Sequence, residues 1–67
     1  MIATIRTPSR SSTGAGVFEA IKHGVECDVY DDTHFDITIH NQTRANLIAQ
    51  AANGKIVAVV DSLPNYY

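Results

Sequence analysis

The sequence predicts an α+β domain with elements in the order β-α-β-β-α-β. Three observations carry this. Two stretches with apolar residues at helical spacing each run into a glycine, four short stretches read as strands, and the second half repeats the first at an offset of thirty residues. Aligned without a gap, 13–31 and 43–61 match Thr13 with Thr43, Ala15 with Ala45, Gly24 with Gly54, Val29 with Val59 and Asp31 with Asp61. The matches fall where elements start and stop.

Ile2 to Arg6 opens the chain as a strand, and Pro8, which cannot donate to a ladder, limits its extension. Helix 1 is expected from about Gly14 to His23. Thr13 is placed to cap it through its hydroxyl, and Gly24 to end it in a left-handed conformation. Val17, Phe18 and Ile21 form its apolar face. Val25, Cys27 and Val29 then alternate with Glu26, Asp28 and Tyr30, the mark of a half-buried strand. After the polar break 31–34, Phe35, Ile37 and Ile39 alternate with Asp36, Thr38 and His40, so these two strands read as a hairpin. Helix 2 is expected from about Arg44 to Asn53, capped by Thr43, with Leu47, Ile48 and Ala51 inward and Gly54 at its end. Lys55 to Asp61 forms the last strand.

This order is the ferredoxin-like, split βαβ pattern. Right-handed crossovers put both helices on one face of a four-stranded antiparallel sheet, with spatial order 4-1-3-2. The chain is short enough to be a single domain, 1–67, near the lower limit for folding alone.

Composition narrows the function classes. There are five basic and seven acidic residues, and the basic ones are scattered. Phosphate recognition wants clustered Lys and Arg, so no nucleic-acid partner is expected. The longest apolar run, Ile56 to Val60, is too short to span a bilayer. No membrane partner is expected, and the cytoplasm is the default compartment. Cys27 stands alone and reads as a small buried hydrophobe.

A sheet covered on one side shows its other side to its surroundings. With Ala3, Ile5, Cys27, Val29, Phe35, Ile37, Ile39, Val57 and Val59 facing the helices, the open face carries Glu26, Asp28 and Tyr30, then Asp36, Thr38 and His40. It continues with Ile2, Thr4 and Arg6, and with Ile56, Ala58 and Val60. One half is acidic and the other apolar. An apolar edge strand invites pairing unless it is covered. The cover is either the tail with Leu63, Tyr66 and Tyr67, or another chain. A protein partner, or a homodimer through the last strand, is the expectation, with Ile56, Ala58, Val60, Asp36, His40, Glu26, Asp28 and Tyr30 as the partner-binding set.

Recognisable chemistry is sparse. His23, Cys27, His34 and His40 match no compact ligand spacing, so no metal or other cofactor is expected. Asp28, Asp36 and His40 share the open face, but a flat sheet has no pocket to exclude water from an acid–base pair. Arg10, Ser11, Ser12 and Thr13 form a candidate anion-binding loop before helix 1, though it lacks the lysine and spacing of a P-loop.

The element order resembles RNA-recognition motifs, heavy-metal-associated domains and ACT domains. The first would place stacking aromatics where Thr4, Arg6, Asp36 and Thr38 stand. The second would place CxxC where 8–12 read Pro-Ser-Arg-Ser-Ser. The third offers no residue motif to match. The expected function is therefore a small non-catalytic regulator or inhibitor that binds a larger protein. Accessory inhibitors encoded by phages and mobile elements are typically of this kind. The alternative is an ACT-like module that senses a small molecule at a dimer seam.

Overall fold

The computed structural model describes residues 1–60. Its elements are β1 (Ile2–Arg6), α1 (Arg10–Lys22), β2 (Glu26–Asp31), β3 (His34–Thr38), α2 (Gln42–Ala51) and β4 (Lys55–Val60). The four strands form one antiparallel sheet in the order β2-β3-β1-β4, the ferredoxin-like arrangement. Among the described residues no helix is long and apolar enough to cross a membrane. The tail 63–67, one of the two expected covers for β4, lies outside the described residues.

Both helices begin earlier than their threonines suggest. The cap of α1 is Ser9, whose hydroxyl accepts from the Ser12 amide at 3.2 Å, and that of α2 is Asn41, accepting from the Arg44 amide at 2.9 Å. Ser and Asn are the stronger caps, and each can hold an extended backbone one step before the turn. Thr13 is instead buried inside α1. Its hydroxyl donates to the Asp32 carbonyl at 2.7 Å and meets the Thr7 hydroxyl, which ties the helix to the hairpin turn and to the end of β1. Thr43 is exposed.

The glycines of the repeat also differ in role. Gly24 takes φ +70°, but in the second half the left-handed residue is Asn53, at φ 50°. The closing bonds agree with that match: Gly24 N to Ile21 O and Val25 N to Ala20 O correspond to Asn53 N to Gln50 O and Gly54 N to Ala49 O. Gly54 is small for another reason, since a Cβ there would lie 2.6 Å from the Arg6 carbonyl oxygen.

The helix faces depart furthest from expectation. Phe18, Ile21 and Leu47 are 70%, 65% and 58% exposed, and Ala51 is exposed as well. The inward faces are Thr13, Gly16 and Ala20 on α1, and Ala45, Ile48 and Ala49 on α2, with Ala52 beyond its end. These residues recur at i, i+3 and i+7, the helical period itself. All but Ile48 are small and let the backbones come close, and a side chain one or two positions along turns 100–200° away. The core between the layers consists of Ala3, Ile5, Phe35, Ile37 and Ile39 under these helix residues.

A second correction concerns β4. Its register with β1 shifts between Thr4 and Ile5, where Thr4 pairs with Ala58 but Ile5 pairs with Ile56, leaving Val57 as the extra residue of a bulge. The bulge resets the alternation. Ile56 therefore packs against the core instead of facing outward, and Val57 is exposed instead of inward.

Candidate functional site

The open face is ordered by the register. One row runs Asp28, Asp36, Thr4, Ala58 across β2, β3, β1 and β4, and the next runs Glu26, Thr38, Ile2, Val60. Asp28 and Asp36 are thus directly opposed like charges, a destabilising cross-strand pair in isolation. Two donors turned on Asp36 offset it. The Tyr30 hydroxyl donates to Oδ2 and the Thr4 hydroxyl to Oδ1. Both oxygens of the central carboxylate are engaged, so three strands are linked through one side chain. Tyr30 lies two residues from Asp28 on the same side of β2, diagonal to Asp36, and a second bulge lies between Val29 and Asp31. Its ring stays exposed.

Beside this linkage lies a shallow hollow of about 380 Å³ lined by Ile2, Glu26, Cys27, Asp28, Asp36 and Thr38. Of the expected partner set, Glu26, Asp28, Tyr30 and Asp36 share this end of the face, and Ala58 and Val60 lie at its far edge. Ile56 does not belong to it. His40 lies beyond the end of β3, exposed, and lines a different hollow with His23, Glu26 and Arg44. It is not grouped with Asp36 there. That His23 and His40 line one hollow was not visible in the sequence, because the loop after α1 and the loop before α2 are brought to the same end only by packing.

Arg10, Ser11, Ser12 and Thr13 form the first turn of α1 and not a loop. The Ser12 amide is taken by Ser9 Oγ and the Thr13 amide by the Ser9 carbonyl. The hollow next to this turn holds Asp31 and Asp32 beside Arg10. Carboxylates at that position oppose a bound anion. The remaining metal suspects lie apart: His23 pairs with Glu19 at 2.9 Å, His34 with Asp31 at 3.0 Å, and Cys27 is half-buried against the core.

Among the described residues, the carboxylate held away from its ordinary range is Asp31, in the hairpin turn. Asp31 Oδ1 accepts the Thr33 amide at 2.9 Å, and His34 Nδ1 lies 3.0 Å away. The Thr33 amide first, then the His34 ring, hold the Asp31 carboxyl below the usual aspartate range. A lowered carboxyl pKa adds turn stability that is present above the ordinary aspartate range and lost as pH falls through the lowered value. In an NMR titration the Thr33 amide proton is expected to shift with a midpoint below that of an unperturbed aspartate, and Asp31→Asn is expected to remove the transition.

Comparison with protein-family models, with curated proteins and with solved structures finds no match to this chain.

Proposed function

We propose that this chain is a small non-catalytic protein-interaction module, a regulator or inhibitor that acts by binding a larger protein through its open face. The observation that carries the reading is the Tyr30–Asp36–Thr4 linkage. It holds an exposed aromatic ring against the sheet, which reduces the side-chain ordering that binding would otherwise require. Tyrosine is among the residues that most often dominate protein interfaces. The linkage also occupies both oxygens of Asp36, which argues against a catalytic base at the centre of the face. The acids Glu26 and Asp28 flanking the ring would suit a partner with a basic rim.

The test is affinity capture with the full chain, repeated with Tyr30→Ala and Asp28→Lys. A single protein retained in stoichiometric amount by the parent chain is expected, with retention reduced at least tenfold by each variant while the fold is kept. Loss on Tyr30→Ala reports the anchor, and loss on Asp28→Lys reports the charge. Retention unchanged by both variants would sink the open-face reading. A thermal shift by a small metabolite, with no protein retained, would replace it with the sensing alternative.

A further inference from the structure

The sheet ends on one side at β2, and a groove borders that edge. Every second residue of an edge strand turns its amide and carbonyl away from the sheet, where another strand can pair. Register with Ile37 and Phe35 puts Cys27 and Val29 on the helix side of β2, and Glu26 and Asp28 on the open face. On the helix side a hollow of about 420 Å³ lies between the strand and α1, with Arg10, Val17, Val29, Asp31 and Asp32 in its lining. Val29 is 50% exposed there, although it faces the helix layer. We propose that an extended segment of the protein partner, alternating basic and apolar residues, adds to the β2 edge as a fifth strand. Its apolar side chains enter the groove against Val17 and Val29, and its basic ones lie beside Glu26 and Asp28. Such a docking segment rests on the reading of the partner as a protein, and specifies it further.

Charge selects this occupant. β2 and the turn after it carry Glu26, Asp28, Asp31 and Asp32, and the cation in the groove beside them is Arg10. Among the described residues Glu26, Asp28 and Asp32 have no ion-pair partner. A strand that sets Lys or Arg opposite them gains cross-strand pairs of opposite charge, whereas an acidic strand meets like charge. A second copy is disfavoured on the same ground, because β2 against β2 opposes acids to acids. The acids thus filter what pairs with an edge whose backbone stays open. Residues 61–67 are too few to be the added strand. Val60, from which they continue, stands on the opposite edge, and a strand added at β2 lies four interstrand spacings from it, about 19 Å. Seven residues reach at most about 25 Å, which leaves about two of them to run along β2. They also bring Asp61 and no Lys or Arg.

The probe is a short peptide alternating lysine and valine, matched by one alternating glutamate and valine. Titrated into the isotope-labelled full chain and followed by NMR, the lysine peptide is expected to bind saturably below about 1 mM. The amides of Glu26–Asp31 and of Val17 are expected to shift most. The glutamate peptide is expected to bind about tenfold more weakly or worse. Two further lysine peptides carry N-methyl groups, one on each alternate set of amides. An added strand donates to β2 from one set alone, so one methylated peptide is expected to lose binding and the other to keep it. Asp28→Lys, shown to be folded by circular dichroism, is expected to weaken the lysine peptide about tenfold. Absence of binding, equal binding of the two charge types, or equal binding of the two methylated peptides would overturn the proposal. So would shifts confined to other strands, or a folded Asp28→Lys that binds as the parent does. If that variant does not fold, the methylated pair on the parent chain decides. Failure of the peptide with protein capture still lost in Tyr30→Ala removes the added strand and leaves the open-face reading. Peptide binding with no protein captured keeps the β2 site and removes that reading.

Discussion

Phe35→Ala is expected to remove a large share of the protein's folding stability. Phe35 is fully buried and is the largest such side chain among the described residues, standing on β3 beneath the point where α1 meets the end of α2. Truncating a buried phenylalanine costs about 3–5 kcal/mol, part transfer and part cavity. A chain of this length is stable by only about 3–10 kcal/mol at the usual 0.05–0.15 kcal/mol per residue. The loss is therefore a large share of the total. Urea denaturation followed by far-UV circular dichroism measures it, with Phe18→Ala as the matched control. Phe18 is the same residue type on the solvent side of α1, and its truncation is expected to change stability by no more than about 0.5 kcal/mol. Similar losses in the two variants would mean that α1 presents its other face to the sheet.

Gly16→Val is expected to be the second most damaging change. A Cβ at Gly16 would lie 2.6 Å from the Ala52 Cβ and 2.6 Å from Phe35 Cζ, closer than real carbon atoms approach. Replacing a mid-helix glycine by alanine usually gains about 1 kcal/mol in helix propensity. Here overpacking costs about 1–3 kcal/mol against that gain, and the branched valine adds further bulk at the same contact. Gly16→Ala is thus expected to be neutral to mildly destabilising, and Gly16→Val clearly destabilising. Gly14 supplies the contrast two residues away. Nothing lies within 4 Å of a Cβ placed there, so Gly14→Ala is expected to stabilise by about 1 kcal/mol. Thermal melts of the three variants rank them, and a Gly16→Val protein as stable as Gly14→Ala would refute the close helix packing.

The contrast between these two glycines shows where reading the sequence reached its limit. Helical periodicity located both helices, but two interleaved patterns share the same spacing. Large residues at 17, 18 and 21 mark one face, and Gly16 with Ala20 marks another. Burial area alone favours the first. The structure takes the second on α1, with only Val17 of the large residues packed against the core. Small residues let the helix sit close over Phe35, and contact density at short range outweighs the exposure of two apolar side chains. The signal that could have found it is the small-residue set Ala45, Ala49 and Ala52 along and just past the other helix, of which Ala52 lies against Gly16.

The candidate site was legible on β2 and partly legible elsewhere. Glu26, Asp28, Tyr30 and Asp36 were placed by alternation alone; the register puts Glu26, Asp28 and Asp36 on one face, and the bond to Asp36 adds Tyr30. Ile56 was misplaced because a bulge inserts one residue without any glycine or proline to announce it. His40 follows the end of β3 at Thr38 and precedes α2's cap at Asn41, so it lines a hollow with Glu26 and Thr38 and is not beside Asp36. Neither the hydroxyl-to-carboxylate linkage through Asp36 nor the role of Thr13 under the hairpin turn could be read from spacing, since both join residues far apart in the chain.

By itself the sequence determined the element order, the antiparallel sheet with β1 and β3 at its centre, and the acidic character of the β2 edge. These follow from residue periods of two and 3.6 and from chain connectivity, which are local quantities. Tertiary structure alone decided which face of each helix is buried, where the β4 alternation resets, and that Asp36 is bound on both sides. Those outcomes depend on the distance between two layers. That distance is set by the smallest residues at the contact, not by the most hydrophobic ones nearby.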